Sequence, residues 1–229
     1  INSLLLRSAP ESSGLQPWGQ KDTSRGRNAG MPMPEKRIPL TALFHNSRFW
    51  LIGFSYLAIA YSLYGITTFM VDYAKYQLGL PLEKASLLAT IHGIGQIVGV
   101  LTILPLSDHL GRKTTLFIGN TFITAALVGI VAVGNSWMAL CILIGCMAIF
   151  YGAIFPLYGA CAGDYFSKDI MGTVIGAWTP LYGCGAILTH WSTGMLRDMT
   201  GLYNYAFIVY VAMGVLSIVL ISLVKKQEG

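Results

Sequence analysis

Six long apolar runs without a single Asp, Glu, Lys or Arg constrain the fold of this chain most strongly. They cover residues 49–71, 85–106, 114–134, 137–162, 171–195 and 205–224. A helix needs roughly 20 residues to cross the hydrocarbon core of a bilayer, and each run reaches that length. Backbone polar groups in lipid must be satisfied within the segment, whereas barrel strands would alternate in polarity and be about half as long. We therefore predict an all-α membrane protein with six transmembrane helices.

The composition and the polar flanks divide the chain into three parts. Hydrophobic residues make up 54% of the sequence and charged residues 11%, against about 25% charged residues in soluble domains. We predict a largely disordered cytoplasmic linker over 1–48, a six-helix bundle over 49–224 and a short cytoplasmic tail over 225–229. The chain begins with Ile1 and shows no signal-peptide pattern, so we expect a fragment that lacks its natural start.

The Lys and Arg residues predict the orientation of the helices. With six crossings, the first tail, the second and fourth connections and the C-terminal tail share one side, and they hold twelve of the 15 Lys and Arg residues. Cytoplasmic segments are the ones rich in these residues. We therefore predict a multi-pass protein of the plasma or inner membrane with both ends in the cytoplasm. This topology also explains the net charge of +5, so we expect no nucleic-acid partner.

The polar residues inside the runs do not form the convergent set of acids, bases or nucleophiles that an enzyme needs. The four cysteines all fall within apolar runs and lack metal-ligand spacing. The sequence thus predicts a non-enzymatic protein without a metal site or a cofactor.

Three polar stretches resemble the major facilitator superfamily. The sequence DHLGRK (108–113) is similar to the signature loop between the second and third helices of each six-helix half, although Leu104 and His109 stand where the family has Gly and a base. The segment LRSAPESSGLQPWG (6–19) resembles the stretch that follows the sixth helix in the monocarboxylate and oxalate/formate carrier branch. The segment GMLRDMTGLYNYAF (194–207) resembles that branch's connection between its last two helices.

The resemblance implies the C-terminal half of a twelve-helix transporter, with a missing N-terminal six-helix half and the lipid bilayer as its partners. A small organic solute would move by alternating access, with coupled protons as one option. A carboxylate is the favoured solute, and efflux of drugs or hydrophobic solutes is the alternative within the family. A non-transporting membrane sensor is a less favoured alternative.

The conformational loop would comprise Asp108, Gly111, Arg112, Lys113 and Asp164. In this interpretation Gly111 makes a tight turn, Asp108 caps a helix and Asp164 pairs with Arg112.

Candidate solute-binding residues are the polar and aromatic side chains within the runs. His92 and Gln96 share a face of the second run, and His190 lies in the fifth on a stripe of small residues. Intramembrane polar residues face protein or water, so a protonated histidine pair would bind an anion. The alternative is that each is a neutral histidine hydrogen-bonded between helices.

The resemblance implies a cavity lined by the first and fourth helices, where the candidates are Tyr61, Tyr64, Thr68, Tyr151, Phe155 and Tyr158. The equal alternative is that these side chains only pack against neighbouring helices. Gly159-x-x-x-Gly163 is a predicted close-packing site.

Overall fold

Six long helices make up the described part of the chain. The structure is a computed structural model that describes residues 43–225, except for the side chain of residue 168. The helices are α1 (Ser47–Asp72), α2 (Leu82–Leu110), α3 (Arg112–Val133), α4 (Trp137–Tyr165), α5 (Lys168–Thr200) and α6 (Asn204–Leu223). All six are long and apolar enough to cross a membrane, which confirms the predicted fold class. Most of the predicted linker (1–48) and of the tail (225–229) lies outside the described residues.

The helices extend beyond the apolar runs into their polar flanks. α2 continues to Leu110, and Gly111, with φ of 85°, separates it from α3. This left-handed backbone confirms the predicted tight turn, because it favours a residue without a Cβ. The prediction that Asp108 caps a helix is wrong. No side chain caps the N-terminus of α3, and Asp108 lies one turn earlier, within the last turn of α2.

α1 is the most enclosed helix of the bundle. In the most apolar 18-residue stretch of α1, 72% of the residues are buried, whereas the corresponding stretch of α5 has 17%. α5 packs along α1: the indole Nε1 of Trp178 donates to the carbonyl of Phe49 at 3.0 Å. A Cβ on Gly185 would lie 2.4 Å from the carbonyl oxygen of Leu57. Most of the surface of α5 is therefore left open by the described bundle.

α2 and α4 approach each other through glycines. A Cβ on Gly99 would lie 1.8 Å from the carbonyl oxygen of Ile149, and one on Gly152 would lie 2.2 Å from that of Gln96. Gly95 meets Ala148 in the same interface. Small residues allow this backbone-to-backbone packing within a membrane. The predicted close-packing site at Gly159 and Gly163 holds for one of its two glycines. A Cβ on Gly163 would lie 3.0 Å from Met171 Sδ, whereas one on Gly159 would meet no atom of the described bundle within 4 Å.

α1 ends in an unpredicted π-helical turn, Tyr73–Gln77. Gln77 joins this turn to the start of α6: its Oε1 accepts from the backbone N–H of Tyr203 at 2.6 Å, and its Nε2 donates to Asn204 Oδ1. We call this end of the bundle the Gly79 end and the opposite one the Gly111 end. The side chain of Gln77 therefore satisfies a backbone group that precedes α6, where the helix itself provides no partner.

Candidate functional site

A group of aromatic side chains and one histidine lies between α1, α4 and α5. We define this aromatic–histidine cluster by five residues, Tyr56, Tyr64, Phe155, Tyr182 and His190. Phe155 is 55% exposed, and His190 is exposed as well. The cluster is thus a partly open surface of the six helices rather than their sealed core.

Ring contacts connect the cluster into one surface. Tyr182 stacks on Tyr56 with ring centroids 4.4 Å apart, and it meets Tyr64 edge-on at 5.5 Å and Phe155 at 5.8 Å. Tyr64 lies 6.3 Å from the ring of His190. Offset and edge-to-face aromatic pairs of this kind fix ring positions. The cluster therefore presents a preformed apolar surface with a histidine at its edge.

Both ring nitrogens of His190 have hydrogen-bond partners. Its Nδ1 donates to the carbonyl of Ala186 at 2.5 Å. Its Nε2 lies 2.8 Å from the hydroxyl of Thr68, which is itself exposed. The neutral ring accepts the Thr68 proton there, and the imidazolium donates. Because the partner of Nδ1 is a main-chain carbonyl and that of Nε2 is an exposed hydroxyl that can rotate, another group would bind at Nε2 by displacing Thr68.

His92 lies in a different environment, behind Tyr151 of α4. It is 2% exposed, and its ring meets that of Tyr151 edge-on at 5.0 Å. Gln96 Nε2 donates to its Nδ1 at 3.0 Å. The structure thus brings His92 and Gln96 together, as predicted. The ring contacts of His190 are with Tyr64 and Phe69 and not with His92, so the pairing of the two histidines around one anion stays a prediction.

Tyr61 and Tyr158 occupy buried positions outside the cluster. The hydroxyl of Tyr61 is hydrogen-bonded to Ser192, and its ring packs against Tyr210 at 6.0 Å. Tyr158 is fully buried and backs Tyr56, with ring centroids 4.4 Å apart. As placed here, neither side chain reaches the open surface, so the expectation of direct solute contact narrows to Tyr64 among the three tyrosines.

The hydroxyl of Tyr158 belongs to a hydrogen-bond network that joins four helices. It is 2.7 Å from Ser55 Oγ, and it accepts from Asn120 Nδ2 at 3.2 Å. Asn120 also donates to Ser217 Oγ at 2.8 Å, and that hydroxyl donates to the carbonyl of Ser55. α1, α3, α4 and α6 are thereby linked in an apolar interior, where buried polar groups require partners.

We expect Tyr158→Phe to destabilise the bundle without removing any apolar packing. The change leaves Ser55 and Asn120 short of one partner, which costs about 1–3 kcal/mol for buried polar groups. Thermal unfolding in detergent should therefore shift downward. Tyr205→Phe is the matched control, because Tyr205 is 52% exposed, and it should leave the unfolding temperature unchanged. An unchanged temperature for both variants would contradict a structural role of the network.

Tyr56 and Tyr182 were missed by the sequence interpretation. A signal for both was present: Tyr56 lies eight residues before Tyr64, and Tyr182 lies eight residues before His190. Eight residues are about 2.2 helical turns, which puts the two side chains of each pair about 80° apart around the helix and thus on one broad face of it.

The predicted conformational loop forms a polar group at the Gly111 end. Arg112 Nη2 lies 3.3 Å from Asp108 Oδ1, its Nε lies 3.8 Å from Asp164 Oδ2, and its Nη1 donates to the carbonyl of Ala160 at 2.9 Å. Lys113 Nζ donates to the carbonyls of Ser222 and Val224. A cavity of about 560 Å³ opens beside these residues. Arg112 therefore ties α3 to α2 and α4, and Lys113 ties it to the end of α6.

Comparison with known proteins identifies the family. The family model described as Major Facilitator Superfamily matches residues 52–228, well over half of the chain. The hexuronate transporter of Bacillus subtilis (strain 168) is 23% identical over 186 residues, which are 77% of this chain and 44% of that protein. The chain thus spans less than half the length of this curated relative.

Solved transporters share the fold. The Escherichia coli fucose:proton symporter FucP aligns with a TM-score of 0.67 and 14% identity over 82% of this chain and 45% of that one. The POT family transporter PepTSo aligns with a TM-score of 0.64 and 17% identity over 77% of this chain and 37% of that one.

These matches confirm the resemblance at the level of the superfamily, while the monocarboxylate and oxalate/formate branch stays a prediction. The family consists of transport proteins, which confirms the prediction that the chain is not an enzyme. The six membrane-length helices and the matched family model agree on one conclusion. The chain is a multi-pass membrane protein and belongs to the Major Facilitator Superfamily.

Proposed function

We propose that this chain is the C-terminal six-helix half of a secondary active transporter that moves a small organic carboxylate by alternating access. Its partner is an N-terminal six-helix bundle that covers the open surfaces of α2 and α5. α5 and α2 are the least buried of the six helices, at 17% and 28% of their most apolar stretches, and such a partner would cover the part of their surface that does not face lipid. The coverage of 44% of the hexuronate transporter supports it as well. We place both ends of the chain in the cytoplasm of a plasma or inner membrane, as the Lys and Arg distribution predicts.

The observation that carries the proposal is the aromatic–histidine cluster. Solute sites are mostly apolar surfaces with a few placed polar groups. A protonated His190 would donate from Nε2 to a carboxylate that displaces the Thr68 hydroxyl from it, and the displaced hydroxyl, now 2.8 Å away, could donate to the same carboxylate. The exposed ring of Phe155 and the ring of Tyr182 offer apolar surface to the carbon skeleton of the solute. His190 provides the selectivity for charge, because the apolar runs contain no Lys or Arg.

The relatives support an acid or a sugar as the solute. The hexuronate transporter is named for a sugar acid, which combines a carboxylate with a ring of C–H groups. A hexuronate therefore fits the cluster better than the smallest monocarboxylates. Efflux of hydrophobic solutes is the second candidate, and the 55% exposed ring of Phe155 favours it.

An uptake experiment in proteoliposomes tests the proposal. The complete transporter that contains this chain is offered radiolabelled D-glucuronate, L-fucose, lactate and a lipophilic dye as separate probes. We expect saturable uptake of D-glucuronate that unlabelled D-glucuronate competes away. Transport of the dye without competition by any carboxylate would overturn the carboxylate proposal in favour of the second candidate.

We further propose that Asp108, Gly111, Arg112, Lys113 and Asp164 form a cytoplasmic latch that holds one conformation. The contacts of Arg112 at the Gly111 end support this role. The side chains of Arg112 and Asp164 are 32% and 47% exposed, and ion pairs with such exposure contribute about 0–1 kcal/mol. A contribution of this size is too small to fold a bundle, but it biases two conformations of similar energy.

We expect Arg112→Asp and Asp164→Arg each to lower D-glucuronate uptake, by up to about fivefold for a loss of 1 kcal/mol. The double variant should recover much of the wild-type rate, although Arg112→Asp also removes the donor to the carbonyl of Ala160. Arg197→Asp is the control, because its ion pair with Asp198 lies at the opposite end of the bundle. A double variant as impaired as the sum of the two single variants would contradict the latch.

A further inference from the structure

His92 contains a buried ring nitrogen that the described residues leave without a partner. Gln96 Nε2 donates to Nδ1 at 3.0 Å, so the neutral ring carries its proton on Nε2. That N–H has no hydrogen-bond partner among the described residues. Because the residue is only 2% exposed, bulk water does not supply one. A buried donor without a partner costs about 1–3 kcal/mol. Asn120 Oδ1 and Thr189 Oγ1 are likewise without a partner among the described residues, and of these three side chains His92 is the one that can bind a proton near neutral pH.

The surroundings of His92 contain few groups that could fix its charge. On α2 it faces Gln96, and on α4 it faces Tyr151 at 5.0 Å between ring centroids. The apolar run of α1 (49–71) contains tyrosines as its only titratable side chains. The apolar run of α3 (114–134) contains no titratable side chain, and neither α2 nor α4 carries a charged residue in its run. No Asp, Glu, Lys or Arg in these runs holds His92 permanently as an imidazolium, so a proton bound there can also be released.

Tyr151 lies next to His92 on the side of α4 that carries a member of the aromatic–histidine cluster. Its ring meets that of His92 edge-on at 5.0 Å. Phe155 of the cluster follows four residues later on α4, and residues four apart lie on the same face of a helix. A movement of the cluster on solute binding can therefore reach His92 along this face of α4.

We propose that His92 is the site that binds the coupling proton, separate from the solute-binding His190. This inference rests on the proposed transport function. A proton from water adds to Nδ1 and leaves to water on the other side of the membrane, and no covalent bond of the solute changes. Nδ1–H then donates to Gln96 Oε1 after the amide has rotated by half a turn. A glutamine can accept from the imidazolium and donate to the neutral ring, so it serves both protonation states.

Reconstituted transporter tests the inference with D-glucuronate as the probe. Exchange of labelled for unlabelled D-glucuronate at equal pH requires no net proton movement, whereas accumulation under a pH gradient does. With one proton per solute, a gradient of one pH unit supports about tenfold accumulation. We expect His92→Gln to retain exchange within about twofold of wild type, and to lose gradient-driven accumulation and the accompanying proton flux reported by an entrapped pH dye. His109→Gln, on the same helix but exposed at the Gly111 end, should behave as wild type.

The outcomes separate this inference from the proposed function. Gradient-driven accumulation by His92→Gln at the wild-type level would overturn the inference, and so would a wild type that exchanges D-glucuronate without responding to a pH gradient. Absence of any carboxylate exchange in wild type would instead overturn the proposed function.

A second measurement needs neither transport nor a variant: hydrogen–deuterium exchange at the imidazole carbon of His92 in the solubilised protein. We expect the exchange rate to show one protonation step within the pH range in which the protein stays folded, and a rate without such a step would overturn the inference.

Discussion

Gly99→Ala is expected to lower the unfolding temperature of the protein in detergent by many degrees and to reduce the folded yield from membranes. The added Cβ would lie 1.8 Å from the carbonyl oxygen of Ile149 and 2.7 Å from its carbonyl carbon. These are backbone atoms, which cannot rotate away, so α2 and α4 must separate along their shared interface. Overpacking of this kind typically costs about 1–3 kcal/mol and occasionally more. Size-exclusion chromatography with fluorescence detection and thermal unfolding measure both effects.

Gly93→Ala on the same helix is the matched control, because the space around Gly93 is open for 4 Å. Alanine favours a helix interior over glycine by about 1 kcal/mol. The two variants make the same chemical change, but only the Cβ of Gly99→Ala meets backbone atoms. We therefore expect Gly99→Ala to destabilise the 229-residue chain and Gly93→Ala to stabilise it. Gly152→Ala, which meets the carbonyl oxygen of Gln96 at 2.2 Å, should reproduce the loss from the α4 side. Equal stability of Gly99→Ala and Gly93→Ala would show that the two helices are not in backbone contact.

His190→Ala is expected to raise the concentration of D-glucuronate that gives half-maximal uptake by roughly 10- to 100-fold. Hydrogen bonds between charged groups contribute about 1.5–3 kcal/mol, and each 1.4 kcal/mol is a factor of ten in affinity. The loss should be specific for charge. Any measurable uptake of the neutral sugar L-fucose should change little, because the rings of the cluster remain in place. Concentration-dependent uptake of both solutes in proteoliposomes gives the comparison.

Two variants bracket this result. Thr68→Val removes the hydroxyl 2.8 Å from His190 Nε2 but keeps the imidazole, so it should weaken D-glucuronate uptake far less than His190→Ala. His109→Ala changes an exposed histidine at the Gly111 end and should have no effect. If His190→Ala weakened D-glucuronate and L-fucose uptake equally, His190 would be a packing residue and the carboxylate role would fail.

The six helices could be predicted because membrane length and the absence of charge act on each segment separately. Their ends could not, since the polar residues between the runs are compatible with helix as well as with loop. The misplaced role of Asp108 follows from this: four more helical residues after Leu106 put it inside α2. The π-helical turn at Tyr73–Gln77 depends on contacts of Gln77 with the distant start of α6. Periodicity within one segment contains no information about such contacts.

The candidate site was predicted in its residue types but not in its arrangement. Helical spacing correctly grouped His92 with Gln96, because both lie on one helix one turn apart. Whether His92 and His190 face each other depends on how α2, α4 and α5 pack. The close glycine contact between α2 and α4 is part of that packing, and the spacing within one helix does not predict it. Tyr158 illustrates the same limit: its hydroxyl bonds to residues 38 and 103 positions away in the chain.

The charge-free interior of the six apolar runs has an electrical consequence. Moving one elementary charge across a membrane potential of 100 mV requires about 2.3 kcal/mol. Since the runs contain no Asp, Glu, Lys or Arg, rocking of this bundle alone carries no formal side-chain charge through the field while both histidines are neutral. Current would then report the protonation of His92 and His190, together with the charge of the solute. A carboxylate accompanied by one proton would cross without net current, and the same solute accompanied by two would carry one positive charge inward.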